Sequence, residues 1–352
     1  MNNLLIKSDN LAALDYLICE KKLAGKVDLV YIDPPFATGI EFKVSEGRVS
    51  TISSQRNGKV AYSDKTKGAD FIEFLRQRLV LLRELLSDRG SIYLHIDYKI
   101  GHYVKVMMDE VFGINNFRND ITRIKCNPKN FARVGYGNIK DMVLFYSKGS
   151  SPIWNEPIEG YTEADIKRLY AKIGSDGRRY TTVPIHAPGE TENGASSQPF
   201  KGILPPTGRH WRTDTATLEQ WDEQGLIEWS LNGNPRKKIY ADESDGKRVQ
   251  DVWELKDPQY PSYPTEKNMQ MLERIVRTSS NEDSIVLDCF CGSGSTLRAA
   301  NRLERAWIGI DSSELAIEIT AGNLALDQNE MLLFGSELSY DFIDLENVAV
   351  PH

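Results

Sequence analysis

Apolar positions along the chain follow two rhythms that alternate. "NLLIK" (3–7) reads as a short strand, and Leu11, Leu14, Leu17 and Ile18 then recur at helical spacing. "VDLVYI" (27–32) predicts a second, buried strand. A polar stretch from Ala37 to Asp70 follows, longer than an ordinary connection and rich in Ser, Gly, Lys and Arg. An amphipathic helix over 71–86, a strand over 90–97, a helix around 102–112 and a strand over 141–147 come next. From about 150 to 255, Pro, Gly, Trp and charged residues interrupt any steady period. The alternation then resumes with a helix at about 267–278, strand "SIVLD" (284–288), a helix from about Ser295, strand "AWIGID" (306–311) and a further helix. Such alternation predicts an α/β fold, with a mostly parallel sheet between two helical layers. It divides the chain into 1–150, an irregular region 151–255, a returning α/β part 256–335 and an acidic tail 336–352.

Composition adds limits. With 352 residues, 40% of them hydrophobic, the chain can bury a substantial core. No apolar run approaches the roughly 18 residues of a membrane span. The start, MNNLLIKSDN, lacks the apolar core of a signal peptide. The cysteines, Cys19, Cys126, Cys289 and Cys291, show neither zinc-knuckle nor redox spacing, and the five histidines show no ligand spacing. Reduced thiols, a cytoplasmic location and no metal are expected. The net charge of −7 argues against nucleic acid until its distribution is considered. Nine carboxylates and no Lys or Arg follow Trp307, so the remainder balances at 43 basic against 41 acidic residues. Residues 118–148 carry seven Lys or Arg against two acids, which allows a local basic face.

The clearest ligand signal is "SIVLDCFCGSGSTLRAANRLERAWIGIDSSE". An apolar strand ends at Asp288, the turn Gly292-Ser293-Gly294 follows, and a second strand ends at Asp311, 23 residues after Asp288. Glycines let the backbone turn tightly and bring a ligand close, and the second acid is placed to accept from ribose hydroxyls. The third glycine of a dinucleotide fingerprint is missing, and no Lys-Ser/Thr pair makes a phosphate loop. An acid ahead of the glycines suits a positive ammonium or sulfonium and would repel a pyrophosphate. This favours S-adenosylmethionine over a nicotinamide cofactor; a glycine-rich turn that binds nothing is the other reading.

A second signal is "DLVYIDPPFATG" (28–39), where an acid tips a core strand and two prolines stiffen the loop after it. Asp33 could accept from an exocyclic amino group, and the carbonyl ahead of Pro35 could accept a second hydrogen. Phe36 offers a flat face for a heterocycle. A plain strand-ending turn, which Asp-Pro often opens, stays open as the alternative.

Together these residues carry a resemblance. Asp33-Pro34-Pro35-Phe36 resembles the catalytic Asp/Asn/Ser-Pro-Pro-aromatic motif of amino-methylating DNA methyltransferases, and Asp288 to Gly294 resembles their cofactor loop. The order, catalytic motif first and cofactor loop last, is similar to the circularly permuted β group, which includes type III modification subunits. "YPTEKNMQMLERIVRTSS" (263–280), "KDMVLFYSKG" (140–149) and the segment 208–257 are similar to further family regions, the last to the central part of adenine-specific members. The resemblance implies a permuted Rossmann-like methyltransferase sheet with helices on both faces, plus a smaller irregular target-recognition region. It implies that Asp33, Pro34, Pro35 and Phe36 grip the target base. Phe290, Gly292, Ser293, Gly294 and Asp311 would hold S-adenosylmethionine, with Asp288 near its methionine end, Asp9 near its adenine and Lys267 near its carboxylate. Phe36 stands where Tyr is commoner, and Tyr263 and Asn268 replace His and Pro.

The acid at Asp33 points to adenine N6, whereas relatives acting on cytosine N4 usually carry Ser. Carbon-5 methylation needs a thiolate, typically in a Pro-Cys pair, and no such dipeptide occurs. The activity implied is methyl transfer to a flipped-out adenine of double-stranded DNA. Cytosine-N4 or RNA methylation, or a non-catalytic binding module, are the alternatives. Lys43, in a 37–70 segment expected to close over DNA, and Arg123, Lys125, Arg209, Arg212, Arg236, Lys237 and Lys238 are the expected DNA contacts. A homodimer and a restriction subunit are further partners that the resemblance suggests.

Overall fold

The computed structural model describes residues 2–35, 41–45, 48–50, 59–63, 69–128, 130, 132, 134–191, 194–258, 267–332 and 339–346. It divides into two compact units, Met1–Pro157 with Gln250–His352, and Ile158–Val249.

The first unit is built on a nine-stranded sheet. Its strands are β1 (Asn3–Lys7), β2 (Val27–Ile32), β3 (Leu86–Ile96), β4 (Phe117–Ile124), β5 (Lys140–Ser147), β6 (Val252–Trp253), β7 (Ile285–Asp288), β8 (Ala306–Asp311) and β9 (Tyr340–Asp344). They lie in the order β6-β4-β5-β3-β2-β7-β8-β1-β9. From β3 to β9 every pairing is parallel; β5 runs antiparallel to both β3 and β4, and β6 is parallel to β4. Parallel strands covered on both faces read as near-continuous apolar runs, which is the character of β2, β7 and the second half of β3.

One face is covered by α1 (Asn10–Cys19), α2 (Ala69–Leu85) and α3 (Gly101–Phe112). Phe71, Leu75, Leu79, Leu82 and Leu85 of α2 form a stripe that packs with Leu14, Leu17, Val30, Ile32, Leu94 and Leu287 into one core. Side chains alternate along a strand, so Tyr93 points the other way, and its hydroxyl meets Ser279 Oγ of α6 (Met269–Ser279) at 2.9 Å. On that second face, α7 (Ser295–Arg302) and α8 (Glu314–Leu332) follow α6. The sheet with two helical layers agrees with the fold class read from the sequence. Three strands of this sheet were not foreseen: β4, whose residues are largely polar, the two-residue β6, which falls in the region read as irregular, and β9, which lies in the stretch expected to be an acidic tail. Within 37–70, strands Glu41–Ser45, Arg48–Ser50 and Lys59–Ser63 form a small antiparallel sheet.

The second unit holds an antiparallel sheet of Lys172–Ile173, Arg179–Pro184, Pro235–Tyr240 and Ile227–Trp229, in that order. Its own core is Ile185, Phe200, Trp211, Leu218 and Ile227.

Candidate active site

Strands β2 and β7 lie side by side and parallel, with Leu29 opposite Val286 and Val30 opposite Leu287. Asp288 ends β7, and Asp33 is the residue after β2 ends. Both loops therefore leave the same edge of the sheet. They do so where the winding reverses, because β7 leads to β8 on one side and β2 to β3 on the other. Open α/β sheets bind ligands in the crevice at such a switch point.

The glycine loop is held by its neighbours at almost every residue. Phe290 N–H donates to Asp288 Oδ1 at 3.0 Å, Cys291 N–H to the Ile310 carbonyl at 3.1 Å, and Gly292 N–H to Asp311 Oδ2 at 3.0 Å. From α8, the Thr320 hydroxyl donates to the Gly292 carbonyl and Asn323 Nδ2 to the Ser293 carbonyl, both at 2.9 Å. Gly294 has φ +77°, and a Cβ there would lie 2.8 Å from Thr320 Cγ2. Glycine is thus required twice, for conformation and for space. Ser293 is buried, its hydroxyl 3.0 Å from that of Ser295.

The acids at the two tips sense one another. Burial, reinforced by the charges of Asp33 and Asp311, pushes the Asp288 carboxyl up to about 7. Burial also raises Asp311, whose Oδ1 accepts from Ser313 N–H at 2.9 Å. Asp33 Oδ2 lies 2.5 Å from the Lys267 ammonium. Its other oxygen, Oδ1, is buried with no hydrogen-bond partner among the described residues. Lys267 therefore sits on Asp33, a contact that spacing did not suggest. Next to it, Asn268 caps α6, its side chain accepting from Met271 N–H at 3.1 Å. Asparagine thus does local work where the resembling family has proline. Pro34 is buried and Pro35 half-buried; Phe36 lies outside the described residues.

Asp9 caps α1, accepting from Leu11 N–H at 2.9 Å, while its Oδ2 meets Arg78 at 3.1 Å. Arg78 went unnoticed in the sequence. It is 4% exposed, interrupts the apolar stripe of α2 and stacks 3.5 Å from the Phe74 ring centre. Arg78 also donates to the Asn10 side chain, whose Nδ2 donates to the Cys289 carbonyl at 3.0 Å. One guanidinium thereby ties the Asp9 cap to the glycine loop. A charged residue on an otherwise apolar helix face was the available signal.

A second unforeseen feature is a buried polar row beside Asp33. The Tyr31 hydroxyl lies 3.0 Å from His95 Nδ1, and His95 Nε2 lies 3.2 Å from Asp141 Oδ2. An ionised carboxylate only accepts, so Nε2 carries the proton and Tyr31 donates to Nδ1. Burial and the nearby Lys267 hold the imidazole below its ordinary value. Burial opposes ionisation of Asp141, but bonds from His95 and Lys125 outweigh it and hold the carboxyl below its usual range. Lys125 Nζ is 2.6 Å from Asp141 Oδ1. Arg123 is completely buried, donating to the Leu255 carbonyl at 2.7 Å and to Asp257 at 2.5 Å. This corrects the expectation of a DNA contact at Arg123, because its charge is consumed inside the fold. Lys125 is likewise engaged by a carboxylate. The side chain of Lys43 lies outside the described residues.

In the second unit, Arg209, Arg212, Arg236, Lys237 and Lys238 sit on or beside the strands. Lys237 lies 3.6 Å from the Trp221 ring centre, and Lys238 donates to the Gly225 carbonyl at 2.9 Å. Among the described residues no group of three or more His, Cys, Asp or Glu could hold a metal, and no helix is long and apolar enough to cross a membrane.

An open α/β sheet with a glycine loop and an acid-proline loop at adjacent strand tips defines a cofactor-dependent enzyme fold. A family model described as DNA methylase, covering N6 and N4 methyltransferases, matches residues 27–322. The chain belongs to that family. It is 42% identical over 335 residues to the type II methyltransferase M.EcaI of Enterobacter cloacae, covering 94% of this chain and 71% of that protein. It is 26% identical over 336 residues to the StyLTI Mod subunit of Salmonella typhimurium, a type III restriction-modification protein, covering 86% of this chain. The chain spans about half the length of that and other type III relatives. Among solved structures, a Thermus thermophilus protein complexed with S-adenosyl-L-methionine shares the fold. Its TM-score is 0.50 at 12% identity, covering 99% of this chain and 100% of that one.

Proposed function

We propose that this DNA methyltransferase acts on the N6 amino group of adenine in double-stranded DNA, with the base turned out of the helix. The observation that carries the reading is the Asp33 carboxylate. It stands beside the glycine-loop strand with one oxygen on Lys267 and the other lacking a partner among the described residues. An acceptor buried without a donor is costly, by about 1–3 kcal/mol, and a substrate amine would relieve it.

S-adenosyl-L-methionine is the cofactor, and the chain's residues fit it. Gly292 and Gly294 both have positive φ, which permits close backbone approach. Each Asp311 oxygen accepts one backbone N–H and keeps capacity for a ribose hydroxyl. Asp288, buried among acids, attracts a cationic ligand. Bound there, the cofactor supplies a methyl group already activated on a sulfonium.

The remaining work falls to the catalytic loop. Asp33 Oδ1 accepts from the target amine, and the Pro34 carbonyl, stiffened by Pro35, accepts a second hydrogen. Two acceptors draw the nitrogen toward a tetrahedral shape and free its lone pair from the ring. The excess proton passes to Asp33 or to water. Lys267 fixes the carboxylate's orientation through its other oxygen. Turning the base out costs a few kcal/mol, so most of the rate comes from alignment. An acid rather than Ser at Asp33 supports adenine over cytosine N4, as does similarity to type III Mod subunits. Burial pushes the Cys289 and Cys291 thiols well above their ordinary value, which disfavours carbon-5 chemistry.

The test is Asp33→Ala in the full chain, with methyl incorporation into DNA followed alongside cofactor affinity. Incorporation should fall at least about a hundredfold, with cofactor binding largely kept. Incorporation at the wild-type level would refute the assignment.

A further inference from the structure

Several cations of the second unit are paired with carboxylates, among them Lys172 with Glu228, Arg178 with Asp242 and Glu243, Lys201 with Asp222 and Lys247 with Asp165. Arg209, Arg212 and Arg236, like Arg179, Lys237 and Lys238, form no ion pair with a carboxylate among the described residues. Arg209 and Arg212 both reach one histidine, His186, where the charge of Arg236 is also felt. Strand Arg179–Pro184 runs through buried Ile185 into His186, which pairs with Trp211 of the strand Arg209–Trp211, while Pro184 lies opposite Arg236. Arg209 Nη1 lies 3.1 Å from His186 Nδ1, and Arg212 Nε donates to the His186 carbonyl at 3.3 Å.

A guanidinium can only donate, so His186 Nδ1 accepts and the proton sits on Nε2. The imidazole is thus neutral, with a donor of its own, and burial plus three arginine charges hold it below its ordinary value. Arg236 donates from Nε and Nη2 to Thr182, at 2.9 and 2.6 Å, which fixes its plane. The nearby Glu190 accepts from Gly208 N–H at 3.0 Å. Arg209 and Arg212 are like charges held beside one imidazole by hydrogen bonds, with no carboxylate paired to either among the described residues, and an anion would offset their repulsion.

We propose that His186, Arg209, Arg212 and Arg236 form a phosphate-binding site for the DNA backbone. The proposal rests on the reading of the chain as a DNA methylase and goes further, assigning these residues to grip rather than to sequence readout. Phosphate contacts release counterions, so log K falls with log salt by about 0.9 per contact. Arg209 and Arg212 are exposed, and their substitution leaves the core of this unit intact.

The experiment measures binding of the full chain to a fluorescent random-sequence duplex by anisotropy across about 50 to 200 mM NaCl. Wild type is compared with Arg209→Gln/Arg212→Gln, with Arg209→Lys/Arg212→Lys, and with Arg178→Gln as a carboxylate-paired control. The Gln pair should flatten the salt slope by about 1–2, so that its deficit against wild type shrinks roughly tenfold over that range. The Lys pair and Arg178→Gln should keep the slope. An unchanged slope in the Gln pair overturns the proposal, as does a change of sequence preference at constant slope, which would mean base reading. An unchanged slope in a preparation whose wild type makes N6-methyladenine sinks only this inference. A flattened slope in one that makes none sinks only the adenine reading.

Discussion

Asp288 is a buried acid at a strand tip whose ionisation the fold opposes. Its carboxyl titrates near 3.8 when unperturbed and near 7 in the folded chain, so between those values the native state binds more proton than the unfolded one. Stability therefore rises as pH falls from about 7 toward 4. Above 7 the whole penalty is in force: about three pH units at roughly 1.4 kcal/mol each, or on the order of 4 kcal/mol. Asp288→Asn removes the charge but keeps an oxygen for the Phe290 N–H. Without cofactor at pH 8 it should be the more stable protein by about 2–4 kcal/mol, with a melting temperature several degrees higher. The gap should close as pH approaches 4. Cofactor affinity should move the other way, because the attraction for a cation is lost. Thermal melts of both proteins from pH 5 to 8, with and without cofactor, check this. A variant that melts lower than wild type at pH 8, or a gap that ignores pH, would refute the reasoning.

Gly294→Ala forces an L residue to φ +77° and a Cβ onto Thr320; it should destabilise by about 1–3 kcal/mol and weaken cofactor binding in calorimetry. Adding Thr320→Ser, which removes the Cγ2 neighbour, should recover part of the loss. Arg78→Ala strands the Asn10 side chain and frees the Asp9 cap, so denaturant melts should show a loss of about 2–3 kcal/mol, together with poorer cofactor affinity. Cys289→Ala should keep methyl transfer within a few-fold of wild type, since the thiol is packing rather than nucleophile. Loss of turnover in a folded Cys289→Ala protein would contradict that role.

Buried parallel strands were legible because both their faces are apolar: β2, β3, β7 and β8 announce themselves as runs of Val, Ile, Leu and aromatics. β4, "FRNDITRI", was illegible because most of its residues are polar and half-exposed, and one of its two partner strands, β6, comes from 128 or more residues away. β9 hid in an acidic segment. It is an edge strand held by pairing with β1, by Tyr340 against Trp307 and by Lys7 at 3.6 Å from Asp344. Both functional loops were legible because Pro and Gly are demanded by backbone geometry, which sequence displays directly. Charged partners were not. Asp257 is 134 positions from Arg123, and Lys267 is 234 from Asp33, so only the fold reveals that one cation is structural and the other sits on the acid of the Asp-Pro-Pro loop.

The central claim concerns which amine receives the methyl group. The direct measurement is reaction of the full chain with isotopically labelled S-adenosyl-L-methionine and unmethylated double-stranded DNA, followed by enzymatic digestion and mass analysis of the nucleosides. The label should appear in N6-methyldeoxyadenosine alone. Label in N4-methyldeoxycytidine instead would contradict the account.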